Sequence, residues 1–307
     1  MRTIVFINSH SRQAARNTEA VKKFFSRRST TFNIVEFIVL EELDDFENSI
    51  NKLKSYTDIQ CIIIGSGDGT IVAILNALKK RRELTYGFIP LGTSNTFVRS
   101  LGLSINFMEA LDTIGQKHVR QVSLGSINGT LFANIADIGV AAHVADNLTD
   151  RVKKYFGSLA YAISGIRELV RHDAIWCEVK IDGKTTEFYT HSLLIANGKY
   201  RGPIPVSKDT SAFSDSLTLG YSDNKSRLQY LRDAFGFILG KTNKRKSLHL
   251  MPIQEAVIKT KPVQMIQADG EVIGKTPAKI KVIKNAIRVF TPLEVPDHSR
   301  KSRKSSH

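Results

Sequence analysis

The stretch "IIIGSGDGTIVAILNAL" (residues 62–78) decides the fold, because its periodicity changes in the middle. It begins as an apolar run typical of a buried strand, passes through glycines around Asp68, and continues with the spacing of an amphipathic helix. At such a junction the first N–H groups of the helix lack partners within the helix and favour an anion. Asp68 would repel a bare phosphate, and a cation between the two removes the conflict. The stretch therefore predicts a metal–nucleotide site.

The first third of the chain alternates strands and helices around this junction. Apolar, β-branched runs predict the strands, and segments with helical spacing lie between them. This alternation is typical of an open α/β sheet, which binds ligands at the carboxyl ends of its strands. We predict strands at 3–8, 32–39, 59–64 and 86–90, and helices around 13–28, 43–56 and 70–82.

Later in the chain, strands dominate. Asn128-Gly129 and Asp182-Gly183 each stand between apolar runs, which is typical of tight hairpin turns. One long helix is predicted at about 150–171. The predicted strands are 175–181, 186–196, 216–221, 255–260, 263–267, 279–283 and 286–290.

The change of pattern places a domain boundary near residue 123. We expect an α/β domain at 1–122 and a mostly antiparallel β domain at 123–293. The segment "HSRKSRKSSH" (298–307) is basic and free of apolar side chains, so we expect a disordered tail over residues 294–307.

Composition is that of an ordinary soluble protein with excess positive charge. Of the 307 residues, 42% are hydrophobic, and the formal net charge is +15. This charge favours nucleic acid, acidic membrane surfaces or phosphorylated ligands as partners. The two cysteines, Cys61 and Cys177, lie in apolar runs, so we expect no disulfides and a reducing cytoplasm. We recognise no signal peptide and no membrane span.

The glycine loop matches neither of two common phosphate-binding motifs. Thr70 stands where the third glycine of a Rossmann fingerprint would fall, and no Gly-Lys-Ser/Thr follows as in a Walker A loop. A tight turn that needs glycine for its backbone is the alternative explanation of residues 66–70.

Two further segments place polar residues where strands should end. In "PLGTSNTF" (90–97) Gly92 would let a ligand approach the backbone, and the next three residues offer hydroxyl and amide donors. A plain N-cap explains the same residues. In "QADGEVIG" (267–274) the Asp-Gly pair by itself indicates only a hairpin turn.

Taken in order, these segments resemble the diacylglycerol kinase catalytic-domain family, which includes bacterial soluble lipid kinases and the sphingosine and ceramide kinases. The family pattern has Gly-Gly-Asp-Gly-Thr, then Pro-x-Gly-Thr-x-Asn-Asp, and late in the chain Asp-Gly-Glu. Here these read "GSGDGT", "PLGTSNT" and "DGE", and the resemblance extends to about Pro292. It implies a nucleotide-binding α/β domain followed by a β-sandwich-like domain that takes the lipid substrate.

The resemblance also implies roles for individual residues. Asp68 would engage Mg²⁺, directly or through water, and Glu271 would accept the proton of the lipid hydroxyl, with Asp68 as the competing base. Asp215 matches a structural Mg²⁺ position in bacterial relatives, with Asp209 nearby. The implied nucleotide-binding residues are Asn8, Ser66, Gly67, Asp68, Gly69, Thr70, Gly92, Thr93, Ser94, Asn95 and Asp269.

The expected function is transfer of the ATP γ-phosphate to a lipid hydroxyl, with ATP and Mg²⁺ as cofactors. Diacylglycerol is the leading acceptor and a sphingoid lipid the second. We expect a cytoplasmic protein, peripheral to an anionic membrane, that does not bind nucleic acid because it lacks a groove-reading motif. A homodimer is compatible with the sequence.

Two rival functions remain. An NAD kinase shares the glycine loop but would want an acidic residue after Asn95, where this chain has Thr96. A lipid-binding module without catalysis is the other, and the retained acidic residues argue against it. Basic segments at 151–171 and 241–246 could touch a membrane, although a packed amphipathic helix and a solvated loop explain them more simply.

Overall fold

The computed structural model describes residues 1–8, 12–40, 45–139, 173–201, 204–206, 210–223, 225–238 and 247–293. The chain forms two compact units. The first contains Met1–Ser123, Ser211–Phe213 and the residues from Lys284 onward, and the second contains Leu124–Thr210 and Ser214–Ile283.

The first unit is built on a parallel sheet with strand order β2-β1-β3-β4. β3 and β4 are buried at every position, which explains why their sequences are almost continuously apolar. The elements are β1 (Arg2–Asn8), α1 (Arg12–Ser26), β2 (Asn33–Leu40), α2 (Phe46–Ser55), β3 (Cys61–Ser66), α3 (Asp68–Ala77), β4 (Thr85–Pro90), α4 (Thr96–Ser100) and α5 (Phe107–Gln116).

The strand order fixes where this sheet can bind a ligand. The chain leaves β1 for β2 on one side and then returns to place β3 on the other side of β1. The carboxyl ends of β1 and β3 therefore form a topological switch point, where the following loops diverge and leave a crevice. Asn8 ends β1 and Ser66 ends β3.

The second unit consists of antiparallel layers around one apolar core. One sheet has the order β14-β13-β10-β7-β16-β17, and β15, β8 and β9 belong to the other layer. Side chains such as Ile138, Leu193 and Leu219 from the first layer pack with Cys177 and Ile258 from the second. The elements are β5 (Val119–Ile127), β6 (Thr130–Phe132), β7 (Ile135–Gly139), β8 (Ile175–Ile181), β9 (Lys184–Thr190), β10 (Ser192–Ala196), β11 (Tyr200–Arg201), β12 (Ile204–Pro205), β13 (Leu217–Ser222), α6 (Arg227–Ile238), β14 (Leu248–Ile253), β15 (Glu255–Lys261), β16 (Met265–Ala268), β17 (Glu271–Lys275) and β18 (Ala278–Phe290).

The predicted fold class is confirmed, and so are both hairpin turns. Ile127 pairs with Thr130 and Ile181 with Lys184, so each turn has two central residues. All four central residues have positive φ, from 48° at Asp182 to 88° at Gly129. Asn-Gly and Asp-Gly tolerate this left-handed backbone, which matches the twist of the flanking strands.

Several predicted boundaries were wrong. The single strand expected at 186–196 is two strands, β9 and β10. They belong to different layers, and His191 connects them. The strands expected at 279–283 and 286–290 are one, β18. The residues at 284–293 group with the first unit, because Arg288 and Val289 pair in parallel with β4. The sequence analysis did not predict α5, α6 or β14. The signal for α5 was present, because its buried residues Ala110, Leu111 and Ile114 recur at helical spacing.

Some predictions fall outside the described residues. These are the helix at about 150–171 with its apolar stripe, the basic loop at 241–246 and the tail at 294–307. Among the residues that are described, no helix combines the length and apolar character needed to cross a bilayer.

Both cysteines are free and buried within strands, and no disulfide joins them. Burial raises the pKa of the Cys61 and Cys177 thiols to about 12. Because the thiolate is the reactive form, both side chains behave as small apolar groups of the core.

Candidate active site

The glycine loop links the end of β3 to the start of α3 at the switch point. Gly67 occupies the N-cap position of α3 in an extended conformation, and no side-chain cap of the helix is found among the described residues. Asp68, Gly69 and Thr70 form the first turn of α3, and their backbone N–H groups have no partner within the helix. Because those groups lie at the positive end of the helix dipole, this terminus favours an anion.

A second loop follows β4 and is held in shape by its own asparagine. The Asn95 side chain accepts a hydrogen bond from the Gly92 N–H at 3.0 Å and donates one to the Gly92 carbonyl at 2.8 Å. Asn95 adopts a left-handed backbone (φ 45°) before α4 begins. Thr93 and Ser94 at the tip are exposed. The Asn95 side chain, predicted to donate to phosphate, therefore donates within its own loop. The hydroxyls of Thr93 and Ser94 are exposed to solvent.

The two loops touch backbone to backbone. A Cβ atom added to Gly92 would lie 2.4 Å from the Gly67 Cα, and one added to Gly67 would lie 3.2 Å from the Gly92 Cα. Real Cβ contacts do not approach 2.4 Å, so glycine at position 92 is required by this close approach. Gly69 has open space around its missing Cβ.

Asp68 connects the two loops through its carboxylate. One oxygen accepts the Thr96 N–H at 2.9 Å and the other accepts the Phe97 N–H at 2.8 Å. These are the first N–H groups of α4, so Asp68 caps this helix from a distant point in the sequence. The short helix α4 therefore directs its first N–H groups to a protein carboxylate.

The structure brings together the residues predicted in the first unit. The Asn8 amide donates to the Thr70 hydroxyl at 3.2 Å, which ties the end of β1 to the first turn of α3. The Leu91 N–H donates to the Ser66 carbonyl at 3.2 Å, which ties the two loops at their bases. The predicted residues from Ser66 to Thr70 and from Gly92 to Asn95 thus form one cluster with Asn8.

In the second unit, Asp269 organises the connection between β6 and β7. Its carboxylate accepts the N–H groups of Ala133, Asn134 and Ile135 at 2.6, 2.9 and 3.1 Å. Asp269 itself has a left-handed backbone (φ 48°) in the two-residue turn between β16 and β17. The Asp-Gly pair is a hairpin turn, and its side chain also holds a neighbouring loop.

Asn197 supports the same connection, and the sequence analysis did not single it out. The Asn197 side chain is fully buried and donates to the Ala133 carbonyl at 2.8 Å. Its backbone N–H and that of Gly198 donate to the Asn134 carbonyl at 2.8 and 3.0 Å. An asparagine that ends a buried strand just before a glycine was the available signal.

Glu271 lies two residues beyond Asp269, as the first residue of β17, and its side chain is exposed. Asp215 is also exposed, in the connection that leads to β13. Asp209, predicted to assist it, lies outside the described residues. Within the described residues, no three His, Cys, Asp or Glu side chains cluster closely enough to hold a metal ion.

Residues 2–127 match the sequence model of the diacylglycerol kinase catalytic domain. Residues 134–291 match the model described as the YegS C-terminal NAD kinase beta sandwich-like domain. The chain belongs to the diacylglycerol kinase catalytic-domain family. The resemblance seen in the sequence motifs is thereby confirmed, and the two matched segments meet close to the boundary between the two units.

Relatives of this chain include proteins described as putative lipid kinases. One from Staphylococcus haemolyticus is 26% identical over 245 residues, which cover 76% of this chain and 77% of the relative. One from Staphylococcus aureus strain MSSA476 is 27% identical over 251 residues, covering 78% of this chain and 80% of the relative.

Solved structures of other kinases share the fold. A structure titled as a putative diacylglycerol kinase from Bacillus anthracis str. Sterne has a TM-score of 0.78 at 23% identity, and 96% of each chain is covered. A yeast NADH kinase complexed with NADH has a TM-score of 0.56 at 13% identity, covering 100% of this chain and 89% of the yeast chain. Both likenesses concern the fold alone.

Proposed function

We propose that this protein is a lipid kinase that transfers the γ-phosphate of ATP to a lipid hydroxyl, with diacylglycerol as the favoured acceptor. The observation that carries the proposal is the uncapped start of α3 at the switch point, in a chain whose first unit matches the diacylglycerol kinase catalytic domain. The uncapped helix supports phosphate binding, and the family match supports a lipid as acceptor.

The nucleotide phosphates would bind the first turn of α3. Within the described part of the chain, its N–H groups at Asp68, Gly69 and Thr70 have no capping side chain, whereas the first N–H groups of α4 are bound to Asp68. The exposed hydroxyls of Thr93 and Ser94 offer further donors. Phosphoryl transfer depends mainly on such placement and on charge neutralisation, because little covalent help is needed.

Asp68 fits the role of a Mg²⁺ ligand alongside its structural one. Each carboxylate oxygen accepts one described hydrogen bond, from Thr96 or Phe97, and has capacity for a second interaction. Mg²⁺ is usually held by one or two carboxylates together with substrate phosphates and water, so a cluster of protein ligands is unnecessary. Bound there, Mg²⁺ would neutralise phosphate charge. We keep Asp215 as a proposed second, structural site.

Glu271 is the proposed general base. The acceptor hydroxyl oxygen would form a bond to the γ-phosphorus, the bond from that phosphorus to the β–γ bridging oxygen would break, and ADP would leave. The hydroxyl proton would pass to the Glu271 carboxylate, which is exposed, whereas both oxygens of the competing base Asp68 already accept backbone N–H groups. Asp269 would orient the turn that carries Glu271, because its carboxylate binds the backbone N–H groups of residues 133–135.

The protein would act in the cytoplasm at the surface of an anionic membrane. The net charge of +15 supports this, since each Lys or Arg near an anionic bilayer contributes about 1 kcal/mol of attraction. A diacylglycerol acceptor resides in such a surface, so a peripheral and reversible encounter suffices.

A phosphate-transfer assay tests the proposal. Purified protein is supplied with radiolabelled ATP, Mg²⁺ and a panel of lipids in anionic mixed micelles, and lipid products are extracted into chloroform and separated. We expect label in the extracted product when diacylglycerol is present, and weaker or no label with sphingoid bases.

NAD kinase activity is the alternative outcome, because the yeast NADH kinase shares the fold. The same assay therefore contains NAD in a parallel reaction. Labelled NADP without any labelled lipid would overturn the proposal. The buried Thr96, whose N–H is bound to Asp68, provides no carboxylate for a ribose and favours the lipid.

A further inference from the structure

We propose that the outer face of β15, β8 and β9 carries a docking site for an anionic lipid bilayer. The site, here called the tryptophan patch, consists of Trp176, Tyr189, Lys225, Lys261 and Val263. It rests on the proposed lipid kinase function, and it names the part of the surface that meets the membrane.

The strand register places the aromatic and basic residues side by side. Trp176 is paired with Tyr189 on one side and with Lys261 on the other, and directly paired residues project from the same face of a sheet. The Lys261 ammonium lies 5.1 Å from the centre of the Trp176 ring, and the Lys225 ammonium lies 3.8 Å from the centre of the Tyr189 ring.

This row points away from the core of the second unit. Ile175 and Cys177, on either side of Trp176, are buried in the core, so the tryptophan lies on the opposite face. Tyr189 is 41% exposed. Val263, two residues beyond Lys261 in the connection to β16, is 61% exposed. The patch therefore offers two rings and an aliphatic side chain beside two ammonium groups.

This combination suits the boundary between lipid headgroups and acyl chains. Tryptophan and tyrosine favour that depth because one end of each ring system is apolar and the other forms hydrogen bonds. Lysines held over the rings would meet the lipid phosphates at the same level, since cation–π contact keeps each ammonium near its ring. A bilayer thus satisfies both the apolar and the charged parts of the patch.

Charge on the surrounding face favours an anionic surface over a second copy of the chain. Glu178 and Glu255 on this face are each ion-paired with a lysine, Lys259 at 2.7 Å and Lys281 at 2.6 Å. Two identical patches facing each other would bring like charges together, which opposes a symmetric dimer. Further charged residues of the face are Lys180, Lys279 and Glu187.

Trp176 is the one tryptophan of the sequence, so its fluorescence reports on the patch directly. The full chain, without ATP, is titrated with vesicles of equal parts phosphatidylglycerol and phosphatidylcholine. We expect emission to move to shorter wavelength and to be quenched by brominated acyl chains, in parallel with co-sedimentation. Co-sedimentation with unchanged Trp176 emission would place docking elsewhere and overturn the proposal.

Charge reversal distinguishes binding through the tryptophan patch from general electrostatic attraction between the protein and the vesicle. The double variant Lys225→Glu/Lys261→Glu is compared with Lys54→Glu/Lys80→Glu, which changes the net charge equally at exposed positions of the first unit. We expect vesicle binding of the patch variant to weaken by about tenfold or more relative to the control, given the attraction per lysine. Equal binding of the two variants would overturn the proposal.

Three further controls keep these outcomes unambiguous. Circular dichroism and the thermal midpoint verify folding, and the single variant Lys225→Glu replaces the double one if the latter does not fold. Sedimentation of the free protein tests the rival occupant, and a dimer that buries Trp176 would overturn the proposal. Phosphate transfer to dioctanoylglycerol in detergent micelles is measured separately, so failure of docking and failure of the proposed kinase function are distinguishable.

Discussion

At the scale of single residues, Asp68 has a structural task that its position in a glycine loop does not reveal. Its two oxygens bind the Thr96 and Phe97 N–H groups, so the same carboxylate that is proposed to bind Mg²⁺ also fixes the second loop. Removing its charge should affect both stability and catalysis, and the two effects can be measured apart.

Asp68→Asn should retain the fold while losing most of the Mg²⁺-dependent turnover, because a neutral amide is a poor Mg²⁺ ligand. The amide keeps one acceptor oxygen, so we expect the free energy of unfolding to fall by about 1–2 kcal/mol as one charged hydrogen bond is lost. Denaturant unfolding and Mg²⁺ titrations of activity measure the two effects. Asp112→Asn, the same change at an exposed site on α5, is the control. Unchanged turnover in the folded Asp68 variant would remove this residue from the mechanism.

Glu271→Gln should slow phosphate transfer by roughly 10²–10⁴-fold, the usual contribution of a general base, and leave ATP affinity intact. The reason is that the amide keeps the shape of the side chain but cannot accept the hydroxyl proton. Rates at saturating ATP and the Kd for ATP measure the effect, with Glu109→Gln on α5 as the exposed control. Loss of affinity with little loss of rate would instead assign Glu271 to nucleotide binding.

At the scale of elements, two hairpins with the same turn sequence perform different tasks. Asp182-Gly183 and Asp269-Gly270 both have positive φ and both join adjacent antiparallel strands. Among the described residues, only the carboxylate of Asp269 binds a neighbouring loop, through three N–H groups of residues 133–135. The difference arises because residues 133–135 lie within hydrogen-bonding distance of the Asp269 carboxylate.

Asp269→Ala should therefore destabilise the protein more than Asp182→Ala. Both substitutions place alanine in a left-handed turn, so the strain of that conformation cancels in the comparison. We expect the Asp269 variant to lose about 2 kcal/mol or more beyond the control, because the freed N–H groups are only partly rehydrated. Chemical unfolding of both variants measures the difference. Equal losses would contradict a supporting role for this carboxylate.

The contact between the two glycine loops gives another prediction. Gly92→Ala should lower the free energy of unfolding by about 1–3 kcal/mol, the usual cost of overpacking, since its Cβ would lie 2.4 Å from the Gly67 Cα. Gly69→Ala is the matched control in the partner loop, where nothing lies within 4 Å of the new Cβ. Thermal unfolding compares the two. Similar midpoints would mean that the loops separate easily.

At the scale of the whole molecule, the net charge of +15 should govern membrane binding. Vesicle co-sedimentation of the full chain is expected to rise with the fraction of anionic lipid. It should fall steeply as salt increases, because the screening length shortens to about 3 Å at 1 M. Neutral vesicles provide the control. Binding to neutral vesicles that does not change with salt concentration would contradict an electrostatic encounter and indicate insertion of an apolar segment.

The sequence by itself determined the fold class, the parallel strands of the first unit and the hairpin turns. These features depend on local patterns: continuous apolar runs for buried strands, and Asn-Gly or Asp-Gly for left-handed turns. It also marked the glycine loops, where the close approach of Gly92 to Gly67 leaves no room for a Cβ atom at position 92.

Only the tertiary structure decided which of these polar residues meet. Asp68 binds the start of α4 from 28 positions away, and Asp269 binds residues about 135 positions away. The return of β18 to the first unit and the row that joins Lys261, Trp176 and Tyr189 were likewise hidden. The physical reason is that hydrogen bonds and strand register between distant segments depend on chain topology, and a local pattern of residues carries no information about the partner across a sheet.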